Sequence, residues 1–168
     1  MISNRLSGLM KVSILTGLSA TCGMAGSIAY NVTAIQTPAG MTGITLSGIN
    51  DAGQIAGAGT LSGALDVFIA TTSGDTLIPL PTGSTNLTIG DINSTGQVSG
   101  SYAPSGAIKA FEADTTNGIT TFSASSQYFG YSINDSGDVS GHISTGPAIF
   151  SQSGNTTFTD PSGYAGGY

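Results

Sequence analysis

The chain has 168 residues with three basic and nine acidic side chains, so its net charge is −6 with the single histidine neutral. This acidic balance lacks the basic surface of a nucleic-acid-binding protein and disfavours binding to anionic lipid. Charged residues make up only 7% of the chain, fewer than in an average cytosolic domain, so the polar surface must consist mainly of Ser, Thr, Asn and Gly.

Residues 1–29 have the pattern of a secretory signal peptide. Arg5 and Lys11 provide a positive start, residues 12–25 are apolar or small, and small residues precede the expected cleavage before Tyr30. The alternative is that this segment remains as an N-terminal anchor helix. Cleavage would remove Cys22, the only cysteine, and would leave no thiol chemistry and no membrane span. The sequence therefore predicts a secreted, extracellular protein of residues 30–168.

A motif of the form Ile-Asn-x-x-Gly-x-(Ile/Val)-x-Gly occurs three times, with its asparagines 43 and 41 residues apart. A repeat of about 40 to 45 residues is typical of stacked supersecondary units, none of which can bury its apolar face alone. The predicted turns are centred near residues 50–53, 93–96 and 134–137. The asparagine and glycine positions are Asn50, Gly53 and Gly57, then Asn93, Gly96 and Gly100, then Asn134, Gly137 and Gly141.

Four apolar, alternating stretches recur in the same order in each repeat, which predicts four short strands. The first strands are residues 44–49, 87–92 and 128–133, and the second strands are 54–60, 97–102 and 138–143. The third are centred on a phenylalanine at 67–69, 110–112 and 148–150, and the fourth are 77–80, 119–122 and 156–158. This pattern predicts an all-β chain, an antiparallel meander of about three four-stranded units that resembles an incomplete β-propeller.

Both ends of the repeat region resemble parts of further units. Residues 30–35 match a fourth strand, and residues 163–168 resemble the approach to another turn. Propellers usually close with four to eight blades. We therefore expect a truncated gene product, self-association through open sheet edges, or packing into something other than a ring.

The turn motif has a direct physical interpretation. The asparagine side chain is expected to hydrogen-bond the backbone of its own turn, and the first glycine to adopt a positive φ with a bulge. The apolar residues on either side of the turn should pack together as a cross-strand pair. The second glycine, such as Gly57, should lie where a neighbouring unit approaches closely.

These repeats resemble the HAF repeat of bacterial extracellular proteins, whose pattern is roughly I-N-x-x-G-x-V-x-G followed by H-A-F and a glycine turn. Here the H-A-F positions read Asp66-Val67-Phe68, Lys109-Ala110-Phe111 and Ala148-Ile149-Phe150, so the phenylalanine is present three times and the histidine is absent. The resemblance implies secretion and a propeller-like all-β fold, and it implies no established catalytic activity.

The sequence offers few residues for chemistry. Asp51, Asp135 and Asp138 near the turns are the candidates for a calcium site, but the residue density of a calcium-binding loop is missing, so turn chemistry is the favoured interpretation. His142 would have to serve any Ser-His-Asp site, yet no nucleophile elbow accompanies it, and it is expected to be a partly exposed strand residue. We expect no enzyme activity and no cofactor.

Two hypotheses about function follow. The first is a secreted, non-enzymatic repeat protein with an interaction or structural role at or outside the cell surface, contacting a surface glycan, a protein or another copy of itself. The second is a carbohydrate- or calcium-binding module that uses the Asn/Asp-Gly turn loops. A hydrolase is nearly excluded, because no catalytic pair is evident beside the turn aspartates.

Overall fold

The computed structural model describes residues 31–122 and 127–158, and this part of the chain is all-β. Its strands form three separate four-stranded antiparallel sheets, and none of these sheets closes into a barrel. Each sheet corresponds to one sequence repeat, so the predicted fold class is confirmed. The predicted signal segment and residues 163–168 lie outside the described residues. No helix in the described part is long and apolar enough to span a membrane.

Each unit contains four strands that are neighbours in both sequence and sheet. Unit 1 consists of β1 (Thr42–Ile49), β2 (Ile55–Leu61), β3 (Ala64–Thr71) and β4 (Gly74–Pro79). Unit 2 consists of β5 (Thr85–Ile92), β6 (Val98–Ser105), β7 (Ala107–Asp114) and β8 (Gly118–Thr121). Unit 3 consists of β9 (Tyr128–Ile133), β10 (Val139–Ile143), β11 (Gly146–Phe150) and β12 (Thr156–Thr157).

The units stack in chain order with their first strands side by side. Strand β1 lies against β5, and β5 lies against β9, as the inner strands of propeller blades do. We call the side of a unit that packs on the preceding unit its leading face, and the side that packs on the following unit its trailing face.

The hydrophobic core lies between the units, because alternate residues of each strand point to opposite faces of its sheet. The cluster between units 1 and 2 contains Ala56, Val67, Ile69, Ile78 and Leu80 from unit 1 and Ile92, Val98, Tyr102, Phe111 and Ala113 from unit 2. The cluster between units 2 and 3 contains Ala110, Phe122, Ile133, Val139, Ala148 and Phe150. In the described part of the chain these two clusters lie at the joints, so each unit depends on a neighbour for much of its burial.

The segment before β1 does not form the strand that the sequence predicts. Residues 31–38 contain no strand, so the prediction of a preceding unit's fourth strand at 30–35 is wrong for the described residues 31–35. Ile35 instead packs against the cluster of Met41, Phe68 and Ala70 on the leading face of unit 1. An irregular segment covers part of this face where a neighbouring sheet covers the equivalent face of units 2 and 3.

The third phenylalanine occupies a different register from the first two. Phe68 pairs with Gly57 and Phe111 pairs with Gly100, whereas Phe150 pairs with Val139. The sequence alignment of the phenylalanine positions is therefore shifted by two residues in unit 3. A shift of two keeps the side chain on the same face of the sheet, and all three rings are fully buried.

Candidate functional site: the asparagine turns and the unit interfaces

The three predicted turns have one common geometry. In unit 1 the N–H of Gly53 donates to the carbonyl of Asn50 at 2.9 Å, and the N–H of Asn50 donates to the carbonyl of Gln54 at 3.0 Å. The same pairs of bonds recur in units 2 and 3. Gly53, Gly96 and Gly137 have φ values of 73°, 85° and 82°. These are the bonds and the left-handed residue of a three-residue hairpin loop, so the predicted conformation is confirmed.

The side chain of each turn asparagine also accepts hydrogen bonds from the backbone of its own loop. The Asn93 Oδ1 atom accepts from the N–H of Thr95 at 3.1 Å and from the N–H of Gln97 at 2.8 Å. Asn50 and Asn134 make the same pair of bonds. The predicted cross-strand pairs are present as well, with Ile49 opposite Ile55, Ile92 opposite Val98 and Ile133 opposite Val139.

The other end of the asparagine side chain joins one unit to the next. The Asn50 Nδ2 atom donates to the carbonyl of Asn93 at 2.8 Å, and the Asn93 Nδ2 atom donates to the carbonyl of Asn134 at 2.8 Å. The side chains of Gln54 and Gln97 accept the second amide hydrogen of their own turn's asparagine. We call this series of bonds the asparagine ladder. A single residue type therefore stabilises both the turn and the joint between units.

Asp135 reinforces the joint between units 2 and 3. Its Oδ1 atom accepts from the N–H of Ser94 at 3.0 Å. Hydrogen bonds from the side chain and the backbone of Ser94 lower the pKa of the Asp135 carboxyl below its ordinary value, because they stabilise the ionised form. Asp135 occupies the position directly after the turn asparagine, where unit 1 has Asp51 and unit 2 has Ser94.

A buried carboxylate links units 2 and 3 at a second point. Glu112 on β7 is almost completely buried, and its two oxygens accept from the side-chain amides of Gln97 at 2.6 Å and Gln152 at 3.2 Å. Gln152 belongs to the β11–β12 connection of unit 3. Ile69 and Ile149 occupy the equivalent position in units 1 and 3, as the strand pairing shows. Sequence reasoning missed Glu112, because its register becomes evident only once β6 and β7 are paired.

The inner strands approach so closely that the joint requires small residues. A Cβ atom on Gly90 would collide with the backbone carbonyl of Tyr131, and one on Gly130 would lie 2.6 Å from the carbonyl oxygen of Gly100. Ser47, at the position of Gly90 in unit 1, donates its hydroxyl to the carbonyls of Ile89 and Gly90. Such an approach leaves no room for a larger side chain at the interior joints.

The space beside the second glycine of the motif is filled from within its own unit. A Cβ atom on Gly57 would collide with the ring of Phe68 in the same unit, and one on Gly141 would meet the ring of Phe150 and the carbonyl of Phe129. At both positions the atoms nearest to the added Cβ therefore belong to the glycine's own unit. At Gly100 the ring of Phe111 fills the same space. The glycine makes room for its own unit's buried phenylalanine.

An aromatic cluster lies on the trailing face of unit 3. His142 is stacked on Phe129 with ring centroids 4.6 Å apart, and its Nδ1 atom shares a 2.5 Å hydrogen bond with the hydroxyl of Tyr131. The histidine is partly buried on β10, so its predicted environment is confirmed. The interior trailing faces carry threonine, serine, glycine or alanine at these three positions.

The candidate metal-binding carboxylates do not converge. Asp135 bonds with Ser94, and Asp138 accepts from the Nδ2 atom of its own turn's Asn134 at 3.2 Å. Asp51 is exposed on the turn of unit 1. Within residues 31–122 and 127–158, no three His, Cys, Asp or Glu side chains lie close enough together to hold a metal ion. Two of the three candidates therefore serve as hydrogen-bond acceptors within the turns and between the units.

A polar groove of about 480 Å³ borders the turn loops of units 2 and 3. Its lining includes Gln97, Asp114, Asn117 and Asp135. Burial raises the pKa of the Asp114 carboxyl, but hydrogen bonds from Asn117 and Thr116 outweigh this and give a net lowering. The groove offers hydrogen-bonding groups but no aromatic ring among its lining residues, and sugar-binding sites usually combine both.

Comparisons of the chain with protein-family models, with curated proteins and with solved structures found no match.

Proposed function

We propose that the chain is a secreted, non-enzymatic repeat protein with an interaction or structural role at or outside the cell surface. The observation that carries this proposal is that polar side chains of the turns and of β7 form hydrogen bonds between units. Asn50, Asn93, Asp135 and Glu112 all form bonds between units. An enzyme would instead direct such groups into a shared cleft, and a scaffold directs them into its own joints.

The resemblance to the HAF repeat supports the same proposal. The sequence pattern implies secretion, and the stacked, propeller-like sheets are the architecture that the pattern implies. Stacked repeats present extended surfaces for binding other macromolecules, which agrees with an interaction role.

Secretion is tested by expressing the full chain in a bacterium and measuring the mass of the protein in the medium, the periplasm and the cytosol. We expect an exported product whose mass corresponds to a start at Tyr30. A control chain in which the apolar segment is interrupted by Leu15→Arg should remain in the cytosol at full mass. Wild-type protein that is found only in the cytosol would contradict the proposal.

A second candidate function is a carbohydrate- or calcium-binding module at the turn loops. The polar groove beside Asp114 and Asp135 favours it. Thermal denaturation with and without millimolar calcium, and with a panel of soluble glycans, tests this candidate, because a ligand that binds only the folded state raises the melting temperature. Loss of such a shift in Asp114→Asn would locate the ligand in the groove.

A further inference from the structure

The two ends of the stack expose the same positions that the interior joints bury. On the leading face, the residue before the turn asparagine is 5% exposed at Ile92 and 9% exposed at Ile133, but 67% exposed at Ile49 of unit 1. The trailing face shows the same contrast at a position on the third strand of each unit. The residue there is 4% exposed at Ile69 and 3% exposed at Glu112, but 37% exposed at Ile149 of unit 3. These exposed corners lie beside the outermost turns. A single exposed apolar residue is common on protein surfaces, but these two lie at positions that are buried wherever another unit packs on them.

The hydrogen-bonding groups at the two corners are complementary. The Asn134 Nδ2 atom donates to Asp138 within its own turn, and within the described residues it has no carbonyl of a following turn to bond with. Asn50, at the other end of the stack, offers a turn carbonyl of the kind that Asn93 and Asn134 provide at the interior joints. Asp51 also stands one residue after its turn asparagine, as Asp135 does when it accepts from Ser94.

We propose that the leading corner of unit 1 docks on the trailing corner of unit 3 in a second copy, so that chains join head to tail. In this joint the Asn134 amide donates to the carbonyl of Asn50, and the backbone N–H of Asp135 donates to the carboxylate of Asp51. Ile49 is buried beside Ile149. The asparagine ladder therefore continues from one chain to the next.

Such a joint is heterologous, because two different surfaces of the chain meet. A heterologous contact produces a ring if the rotation closes and a filament if it does not. This inference rests on the proposed interaction role and names its partner. A chain that stays monomeric would defeat the head-to-tail joint, whereas the role at the cell surface is tested separately by the export experiment.

The aromatic cluster distinguishes this joint from the interior ones. Tyr131 is 53% exposed and stands where the interior trailing faces have Ser47 and Gly90. Its ring is turned onto His142 by their hydrogen bond. Because the interior joints tolerate only small residues here, Tyr131 holds the inner strands of the two chains apart at its own position, three residues before Asn134, and confines the joint to the turn corner. The inter-chain contact is therefore weaker and more reversible than the interior joints.

The experiment is sedimentation velocity and light scattering of the full chain over a range of concentrations. We expect wild-type protein to form oligomers whose mass increases with concentration. Ile49→Asp and Ile149→Asp should each weaken association by roughly tenfold or more, since each places a charge in the centre of the contact. Ile149→Thr changes the same β11 residue without adding a charge and should weaken association less. Ala107→Asp, on an exposed position of unit 2, is the control for added charge and should associate like wild type.

Mixing the two variants gives the most specific result. Ile49→Asp retains an intact trailing corner and Ile149→Asp retains an intact leading corner, so an equimolar mixture should form a 1:1 heterodimer that grows no further. Tyr131→Ser should tighten association, because it recreates the interior face. The proposal is overturned if wild-type protein is monomeric at every concentration or if the mixture yields no heterodimer. It is also overturned if Tyr131→Ser weakens association, because that result would indicate non-specific association through the exposed tyrosine.

Discussion

Replacing the central turn asparagine should cost much more stability than replacing the last one. Asn93→Ala removes the bonds to the N–H groups of Thr95 and Gln97 and also the 2.8 Å bond to the carbonyl of Asn134. Asn93 itself is 5% exposed, so little water reaches the space that its side chain would leave. Asn134→Ala removes the same two turn bonds from an exposed turn, where water can replace them.

The expected magnitudes follow from the number of groups that lose their partners. A hydrogen bond contributes about 1 kcal/mol net, and a buried group left without a partner costs about 1–3 kcal/mol. We therefore expect Asn93→Ala to lower the free energy of unfolding by about 4 kcal/mol and Asn134→Ala by about 1 kcal/mol. The difference of about 3 kcal/mol measures burial together with the bond between units.

Urea denaturation followed by far-UV circular dichroism measures both variants, since the chain has no tryptophan to report unfolding. With an m-value of about 2 kcal/mol/M, the midpoint should fall by about 2 M for Asn93→Ala and by about 0.5 M for Asn134→Ala. Asn93→Ser, which retains an acceptor for the turn, should lie between them. Equal losses for Asn93→Ala and Asn134→Ala would refute the reasoning, because the ladder bond would then contribute nothing measurable.

Three further predictions test the joints. Gly90→Ala forces the inner strands of units 2 and 3 apart and should lower the free energy of unfolding by about 3 kcal/mol. The control is Gly63→Ala, at φ 87° in open space, which should lower it by only about 1 kcal/mol. Thermal denaturation compares the two variants. Glu112→Ala leaves two amides without their acceptor and should cost about 3 kcal/mol in urea denaturation, and an unchanged midpoint would exclude a structural role for this carboxylate. We expect NMR to show a pKa for Asp135 below the ordinary value of an aspartate, because Ser94 donates to its ionised form. The stability that it contributes should be complete above the ordinary pKa and disappear as the pH falls through the lower native pKa. In Ser94→Pro, which removes both hydrogen-bond donors, the pKa should return to its ordinary range.

The fold was largely predictable because it is built from local rules repeated three times. Asn50 and Gly53 specify their turn through contacts within five residues, and these contacts are visible in the sequence. The alternating residues of the strands likewise reveal which positions are buried. Local rules failed at residues 31–35, where a strand-like pattern forms no strand and Ile35 packs against the cluster of Met41, Phe68 and Ala70.

The joints were much less predictable, because they depend on which residues of two different units face each other. The Asn93 side chain was expected to serve its own turn, and nothing local indicates that its amide reaches Asn134. Glu112 looks like an ordinary exposed strand residue until the strand register places it where unit 1 has Ile69. The motif predicts a close approach at Gly57, but that the ring of Phe68 makes this approach follows only from the pairing of β2 with β3.

The asparagine ladder has a consequence for how this chain can change in evolution. The atom that receives each ladder bond is a backbone carbonyl, which every amino acid possesses. A duplicated or deleted repeat would therefore find its bonding partner without any matching substitution in the adjacent repeat. Variation in the number of copies becomes easier than variation in the turn itself, since a lost asparagine would disconnect its turn from the following repeat and loosen its own loop at the same time.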